Sequence, residues 1–381
     1  MPTPVLLVLN AVRWFGAARM PRALAQAGFE VTLLTPPGAL AEKSSYVAKI
    51  AYLPENATPT AWVHAFAATA KATGTRLVMP CDDTAFRLLQ MLALSPPEGL
   101  QPALHGELAA LIADSLGDPT HYQSCIDKAL LPAAAVALGV GMPAHAIVSD
   151  VAGTEAFGIG HGYPIVLKHR HSVGHGRAIV ERESDVASAL AALSRSPAEP
   201  DASRSVDLLA QAYIRGRAQY YHASAWKGEL LAGFAGEKVR AQAADQPPPA
   251  VNRYYRNDVL RQIAARLARG FGISGVFSLE GIVAEDGGQF HLLEVNRRLA
   301  GGVHRGGTFD VDLCAALHAA LQGLPPPART DMDAGEEHMN VAFPQEWLRD
   351  PESEWLRDYP VDVPWDEPEL FEAMLALQPA R

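Results

Sequence analysis

The chain is 381 residues long, enough for two or three domains at about 150 residues each. Hydrophobic residues make up 49% and charged residues 19%, a balance that excludes wholesale disorder, and 32 Lys and Arg against 42 Asp and Glu (net charge −10) argue against a protein that grips nucleic acid through a basic surface. Cys81, Cys125 and Cys314 lie far apart with no CxxC, which excludes a disulfide framework and a cysteine zinc site and points to a reducing compartment.

Residues 5–9 form an apolar run of strand length with no basic segment before it, so the start of the chain reads as a first strand and not as a signal peptide. Residues 17–27 follow a helical pattern stopped by Gly28, and residues 31–34 form a second apolar run stopped by Pro36-Pro37. Strand, helix and strand in that order predict a βαβ unit and a parallel sheet. Leu77-Val78-Met79 adds a buried strand, followed by Pro80-Cys81-Asp82-Asp83 and a helix over 84–92. Residues 1–115 are therefore expected as an open parallel α/β domain. Ligands of such sheets bind outside the carboxyl ends of the strands, which nominates the loops at 10–13 and 81–83.

From Asp118 the pattern turns helical and stops at Gly139-Val140-Gly141-Met142-Pro143. Two apolar strands between Tyr163 and Val180 bracket a turn rich in glycine and histidine. Residues 196–206 read as a polar surface loop, and Asp245-Gln246-Pro247-Pro248-Pro249 as a rigid stretch barred from a central strand. Residues 276–283 and 290–295 flank Asp286-Gly287-Gly288 as a hairpin. The tail, 331–381, repeats Glu-Trp-Leu-Arg-Asp at 346–350 and 354–358 and is expected to be helical with Trp and Leu inward. No apolar stretch approaches the roughly 20 residues of a membrane span. The expectation is a soluble, cytoplasmic protein with neither membrane nor nucleic-acid partners.

The familiar nucleotide and hydrolase signatures are missing: no GxxxxGK[ST], no HExxH, no GxSxG, and no GxGxxG after the first strand. What the chain does carry is a hairpin with acids. Residues two apart on a strand share a face, so Glu294 and Asn296 point the same way, and Glu280 on the partner strand lies opposite its apolar side. If the pairing sets Glu280 beside Glu294, two carboxylates and an amide oxygen converge, a donor set that suits Mg²⁺. An exposed polar hairpin face is the alternative. Arg297, Arg298 and Gly301-Gly302 nearby favour an anion and metal site. A second element runs Lys168-His169-Arg170-His171-Ser172-Val173-Gly174-His175-Gly176-Arg177. Its glycines free backbone N–H groups for phosphate oxygens and Lys168 adds a point charge; a histidine metal site and a plain solvated loop are the competing readings.

Taken in order, these pieces resemble the ATP-grasp superfamily of carboxylate–amine ligases over residues 4–325. The motifs are the Pro-Cys-Asp-Asp turn, Asp127-Lys128 ahead of Gly139, Tyr163-Pro164-Ile165-Val166-Leu167-Lys168 with its glycine loop, Gln211-Ala212-Tyr213-Ile214-Arg215-Gly216, and Leu292-Leu293-Glu294-Val295-Asn296-Arg297-Arg298. The Glu294-x-Asn296-x-Arg298 signature is the most specific. The implied fold class is α/β, an N-terminal open parallel α/β domain followed by a two-lobed ATP-grasp (α+β) fold. Its lobes would be 116–212 and 213–330, with 331–381 packing on the last lobe.

The resemblance implies ATP with Mg²⁺ (or Mn²⁺) as cofactors. Lys128 and Lys168 would meet the α- and β-phosphates, Ser172, Gly174 and Gly176 would close over the triphosphate, and Gln211, Ala212, Tyr213 and Ile214 would hold adenine between Ile282 and Leu293. Glu280, Glu294 and Asn296 would hold the metal. Arg298 would steady the transferring phosphoryl group, with Lys238 or Arg240 as a further γ-phosphate partner. Ala218 stands where the family carries an acid for the ribose, and Ala212-Tyr213 where its hinge often has Glu. Arg305 and His304, beyond the glycine turn, are the candidate substrate residues, with Arg13 and Asp83 beside them; an exposed loop arginine is the alternative for Arg305. The implied activity is ADP-forming ligation of a small-molecule carboxylate to an amine through an acyl phosphate, nearest in pattern to amino-acid ligases, with a homodimer common in the family. A carboxylase or kinase using the same Mg·ATP site, or a non-catalytic ATP-binding protein, are the rival readings.

Overall fold

The computed structural model describes residues 2–54, 57–170, 176–194, 207–243 and 246–377. Two compact units emerge: Met1–Pro119 with Gln219–Leu279 and Asn296–Arg381, and Thr120–Ala218 with Glu280–Val295.

In the first unit a parallel sheet contains β1 (Thr3–Val8), β2 (Phe29–Thr35), β3 (Val47–Tyr52) and β4 (Leu77–Pro80), in the order β3-β2-β1-β4. β1, β2 and β4 are near-continuous apolar runs because the sheet is covered on both faces. The helix Phe15–Gln26 makes the β1–β2 crossover and buries Ala17, Ala18, Met20 and Leu24. Gly28 turns the chain into β2 with φ +100°, a conformation that disfavours any side chain. Asp82 ties the two ligand-side loops together: its Oδ1 accepts from Ala85 N at 2.8 Å as a helix cap, and its Oδ2 accepts from Asn10 N and Ala11 N at 2.5 and 2.9 Å.

The second unit holds β5 (His145–Val148), β6 (Ile165–His169), β7 (Arg177–Val180) and β8 (Leu208–Ala212), an antiparallel sheet in the order β5-β8-β6-β7. Helices Val151–His161 and Val186–Ser194 pack on it over a core of Val148, Phe157, Ile165, Leu167, Val180, Val186, Leu193 and Leu208. The expected loop at 196–206 lies outside the described residues.

A six-stranded sheet contains β9 (Gly216–Trp226), β10 (Glu229–Ala243), β11 (Gln246–Tyr255), β12 (Gly275–Ala284), β13 (Phe290–Asn296) and β14 (Glu337–Val341), in the order β13-β12-β9-β10-β11-β14. The proline stretch, expected to stay out of a central strand, begins β11 instead. β14 pairs only with Val251–Tyr255, so at Pro249 β11 has β10 alone as a neighbour, and a missing N–H costs no ladder bond on the open side. The tail also departs from a purely helical reading, since β14 extends the sheet before the short helices Gln345–Arg349, Glu354–Asp358 and Pro368–Leu375. Its two Glu-Trp-Leu-Arg-Asp copies are unequal: Glu346 is fully buried against Arg349 and Ser353, whereas no residue of the Glu354–Asp358 helix is fully buried and Glu354 is exposed. Among the described residues, no helix is long and apolar enough to cross a membrane.

Candidate active site

Within the second unit, Lys168 sits near the end of β6, in register with Arg177 on β7 and Leu209 on β8. Its Nζ donates to Gln211 Oε1 at 2.7 Å. Burial pushes the Lys168 pKa down to about 8; Lys128 and Arg177 act in the same direction and Glu294 opposes them. Lys128 is brought there by its own backbone, since Lys128 N donates to Arg170 O at 2.9 Å, while buried Asp127 pairs with the Arg170 guanidinium at 2.5 Å. Two cations and one carboxylate thus act on Lys168, which is bonded to a buried amide. Gln211 Nε2 is buried there with no hydrogen-bond partner among the described residues.

Next to this cluster, Ala212 N donates to Ala144 O at 2.8 Å, Tyr213 N to Pro164 O at 3.4 Å, and Glu285 N to Arg215 O at 3.0 Å. A Cβ at Gly216 would stand 2.1 Å from Val283 O and 2.7 Å from Ile282 Cγ2, so only glycine lets this hinge lie on β12. Gly141 O accepts from Leu292 N at 2.8 Å, which pins the Gly139–Pro143 turn to β13. Glu280, Ile282, Leu293 and Glu294 are all half-buried, and Ala218 offers no ribose acid. Ser172 and Gly174 lie outside the described residues, whereas Gly176 O accepts from His169 N at 3.0 Å. His169 is buried with Nε2 3.2 Å from Leu193 O, a packed position. Among the described residues no group of three or more His, Cys, Asp or Glu could hold a metal.

In the first unit, Asn296 is buried at the end of β13. Arg298 Nε donates to Asp83 Oδ1 at 3.0 Å, and its guanidinium lies 5.7 Å from the Trp14 ring centroid. Leu299 N donates to Pro80 O at 3.0 Å, which docks the segment after β13 at the carboxyl end of β4. Of the loops nominated by the sheet-end rule, the one at 81–83 meets Arg298 through Asp83, the one at 10–13 is tied to it by Asp82, and Arg13 is exposed. On β10, Lys238 pairs with Asn252, but an irregularity follows and Arg240 pairs with Val251. Cross-strand partners share a face, so the two cations point to opposite sides. Lys238 acts on His222; Arg240 acts on Glu346 of the tail.

His304 and Arg305 do not stand on an open loop. They lie in the helical turn Val303–Phe309, held by the tail: His304 Nε2 is 2.5 Å from Asp362 Oδ2, and Arg305 Nη1 is 2.8 Å from Asp362 Oδ1. Asp362, His222 and Arg177 had no local sequence signal of their role; only the register of β6 with β7 reveals Arg177, and only tertiary folding reveals the other two.

No family model matches the chain, and no curated protein sequence matches it significantly. Solved structures do. A biotin carboxylase from Campylobacter jejuni in complex with β,γ-ATP superposes with a TM-score of 0.66 at 15% identity, over 88% of this chain and 74% of that one. An N5-carboxyaminoimidazole synthase from Aspergillus clavatus, in complex with ADP and 5-aminoimidazole ribonucleotide, gives 0.62 at 17% over 89% and 81%. An N5-carboxyaminoimidazole synthetase from Staphylococcus aureus gives 0.63 at 11% over 89% and 82%. The N-terminal parallel sheet, the small antiparallel sheet and the large sheet occur in the expected order, and the chain has the ATP-grasp fold.

Proposed function

We propose that this chain is an ATP-dependent, ADP-forming ligase that activates a carboxylate as an acyl phosphate and joins it to an amine. The observation that carries the reading is the Lys168 cluster: Lys128, Lys168 and Arg177 gathered beside Glu294, with a buried unpartnered amide at Gln211. Such a concentration of positive charge with a spare donor fits a polyphosphate. Lys128 and Lys168 would hold α- and β-phosphate oxygens, the backbone of Gln211, Ala212, Tyr213 and Ile214 would hold adenine against Ile282 and Leu293, and Ser172, Gly174 and Gly176 would cover the phosphates. Glu280, Glu294 and Asn296 would hold Mg²⁺, which supplies charge neutralisation of the triphosphate.

A carboxylate is a poor electrophile, and two anions repel. Lys238 and Arg298 would offset that repulsion as the γ-phosphoryl group passes to the carboxylate, Arg298 being oriented by Asp83 and Trp14. Arg240, turned to the other face of the sheet, takes no part in this proposal. The amine then attacks the acyl phosphate and phosphate leaves.

A second reading has a specific basis in the names of the similar structures, which include carboxylases: bicarbonate would be the carboxylate activated. One assay separates the two. Phosphate release from Mg·ATP is measured against amino acids singly and in pairs, and against bicarbonate, with products weighed by mass spectrometry. Release that needs two substrates, with a product equal to their sum less one water, supports the ligase. Release driven by bicarbonate with a carboxylated product replaces it with the carboxylase. No stimulated release, with ATP still bound, rejects both.

A further inference from the structure

One face of the six-stranded sheet in the first unit carries a polar row. Lys238 on β10 pairs with Asn252 on β11, and Asn252 pairs with Asn340 on β14, so three polar side chains from three strands share a face. Tyr220 OH donates to Asn252 Oδ1 at 2.7 Å, and His222 follows two residues on along β9. The segment after β13 crosses this face. A Cβ at Gly302 would stand 2.9 Å from His222 Nε2 and 3.0 Å from Tyr254 OH, and one at Gly306 would stand 2.9 Å from the Phe234 ring. The close approach that glycine permits sets His304 and Arg305 beside the row.

The tail then closes the arrangement. Asp362 N donates to Val341 O at 2.9 Å, which fixes the chain alongside β14. The Asp362 carboxylate meets His304, Arg305 and, at 3.0 Å, Arg19 of the helix Phe15–Gln26. Asn340, with its amide oxygen in the orientation that its neighbours demand, accepts from Arg305 Nη2 at 2.6 Å. Arg19 also pairs with Glu367 at 3.5 Å, and Glu367 accepts from Ser44 Oγ. The two arginines and the two carboxylates balance, and among the described residues the network leaves Arg19 Nε and His304 Nδ1 buried without a hydrogen-bond partner, as is the nearby His222 Nδ1.

Resting on the ligase reading above, we propose that His304 is the base that takes the proton of the attacking amine at Nδ1, and that Asp362, supplied by the C-terminal segment, is the positioning residue that holds the ring's proton on Nε2. A carboxylate at Nε2 fixes the tautomer with its lone pair on Nδ1. Burial holds the imidazole pKa below the ordinary histidine value; Asp362 pulls it up, and Arg19 and Arg305 push it down. Burial also pushes the His222 pKa down to about 3, with Lys238 and His304 acting the same way. Both rings are therefore neutral at pH 7, and the cations around them favour an amine that arrives uncharged. In the step itself the amine nitrogen forms a bond to the acyl carbon, the carbon–oxygen bond to phosphate breaks, and phosphate leaves with that electron pair. The proton goes to His304 Nδ1 and from there to the departing phosphate or to solvent. In this proposal the substrate amine supplies the partner that the buried His304 Nδ1 lacks among the described residues.

The test splits the two half-reactions. Hydroxylamine, which attacks acyl phosphates without a base at neutral pH, is used to trap the activated carboxylate as a hydroxamate, and amide formation is measured with the amino-acid pairs found by the screen. In His304→Asn, amide formation should fall about 100-fold or more while hydroxamate formation falls far less. Nitrogen-15 NMR of histidine-labelled protein should show the His304 ring neutral with its proton on Nε2 at pH 7–8, and Asp362→Asn should mix the two tautomers. His304→Gln serves if the Asn variant does not fold by circular dichroism. Parallel loss of both products, an unchanged amide rate, an Nδ1-protonated ring, or a water filling the site with amine binding unaffected by the substitution would each overturn the proposal. If the wild-type chain yields no hydroxamate with any carboxylate, the ligase reading fails and this step fails with it; if wild type and variant both make amide, only this step is lost.

Discussion

The Lys168 cluster and the Asp362 network are two concentrations of charge built in opposite ways. Lys168 meets two cations and one carboxylate, is half-buried, and has its pKa pushed down to about 8. Around Asp362, Arg19 and Arg305 are balanced by Asp362 and Glu367, all withdrawn from water. Although burial pushes the Asp362 carboxyl up, His304, Arg305 and Arg19 outweigh it and hold it well below the usual carboxylate range. A lysine held with a lowered pKa costs folding energy that binding an anion returns, whereas a balanced network of buried charges holds geometry. Breaking each should therefore give a different signature.

The largest effect is expected at the acid beside the first cluster. Glu294→Gln should lower ADP formation by about 1000-fold while circular dichroism and the unfolding temperature stay near wild type; unchanged turnover would remove Glu294 from the site. Asp362→Ala should instead be seen first in the fold, destabilising it by about 3–5 kcal/mol because two buried guanidiniums lose their shared partner. The folded-state pKa of Asp362 lies below its unfolded value, so this contribution is present above the ordinary carboxylate range and is lost as pH falls through the folded value. Urea titrations of wild type and variant at pH 7 and pH 3 check this, and an equal gap at both would refute it.

Lys168→Met should weaken Mg·ATP binding and cut turnover roughly 100-fold. In the wild type, ATP affinity should decline as pH rises through about 8, since the cation that meets phosphate is lost there, while stability should rise between about 8 and the ordinary lysine range, since the unfolded state binds more protons. Calorimetric titration and thermal unfolding over pH 7–10 give both slopes, and slopes of the same sign would discard the reading. Smallest is the contrast between the two tail repeats. Glu346→Ala should cost about 1–3 kcal/mol by stranding Arg349 and Ser353, while Glu354→Ala should leave the unfolding temperature unchanged. Equal effects would make the repeats equivalent.

Much of the first cluster was legible because its parts are local. Lys168 follows an apolar strand and precedes glycines, and Glu294 and Asn296 stand two apart on one strand, so period and spacing alone suggest a shared face. Arg240 could not be told from Lys238 in this way: by alternation they share a face, and only the irregular pairing with β11 turns them apart. The edge strand β3 was equally hidden, because Val47–Tyr52 is largely exposed and lacks the continuous apolar run of its neighbours. The second network left no trace in the chain order, since Arg19, Ser44, His304, Asn340 and Asp362 come from distant segments and none carries a motif.

By itself, then, the sequence determined the N-terminal strand–helix–strand order, the strand carrying Lys168 and the shared strand of Glu294 and Asn296, since backbone period, turn residues and short-range spacing act within a few residues of one another. The tertiary structure decided which cations face which acids, that the tail supplies the carboxylate for His304 and Arg305, and that Lys168 bonds the buried Gln211 amide. Those outcomes depend on burial and on pairing across more than 300 residues for Arg19 with Asp362, separated by 343, and no local rule reaches that far.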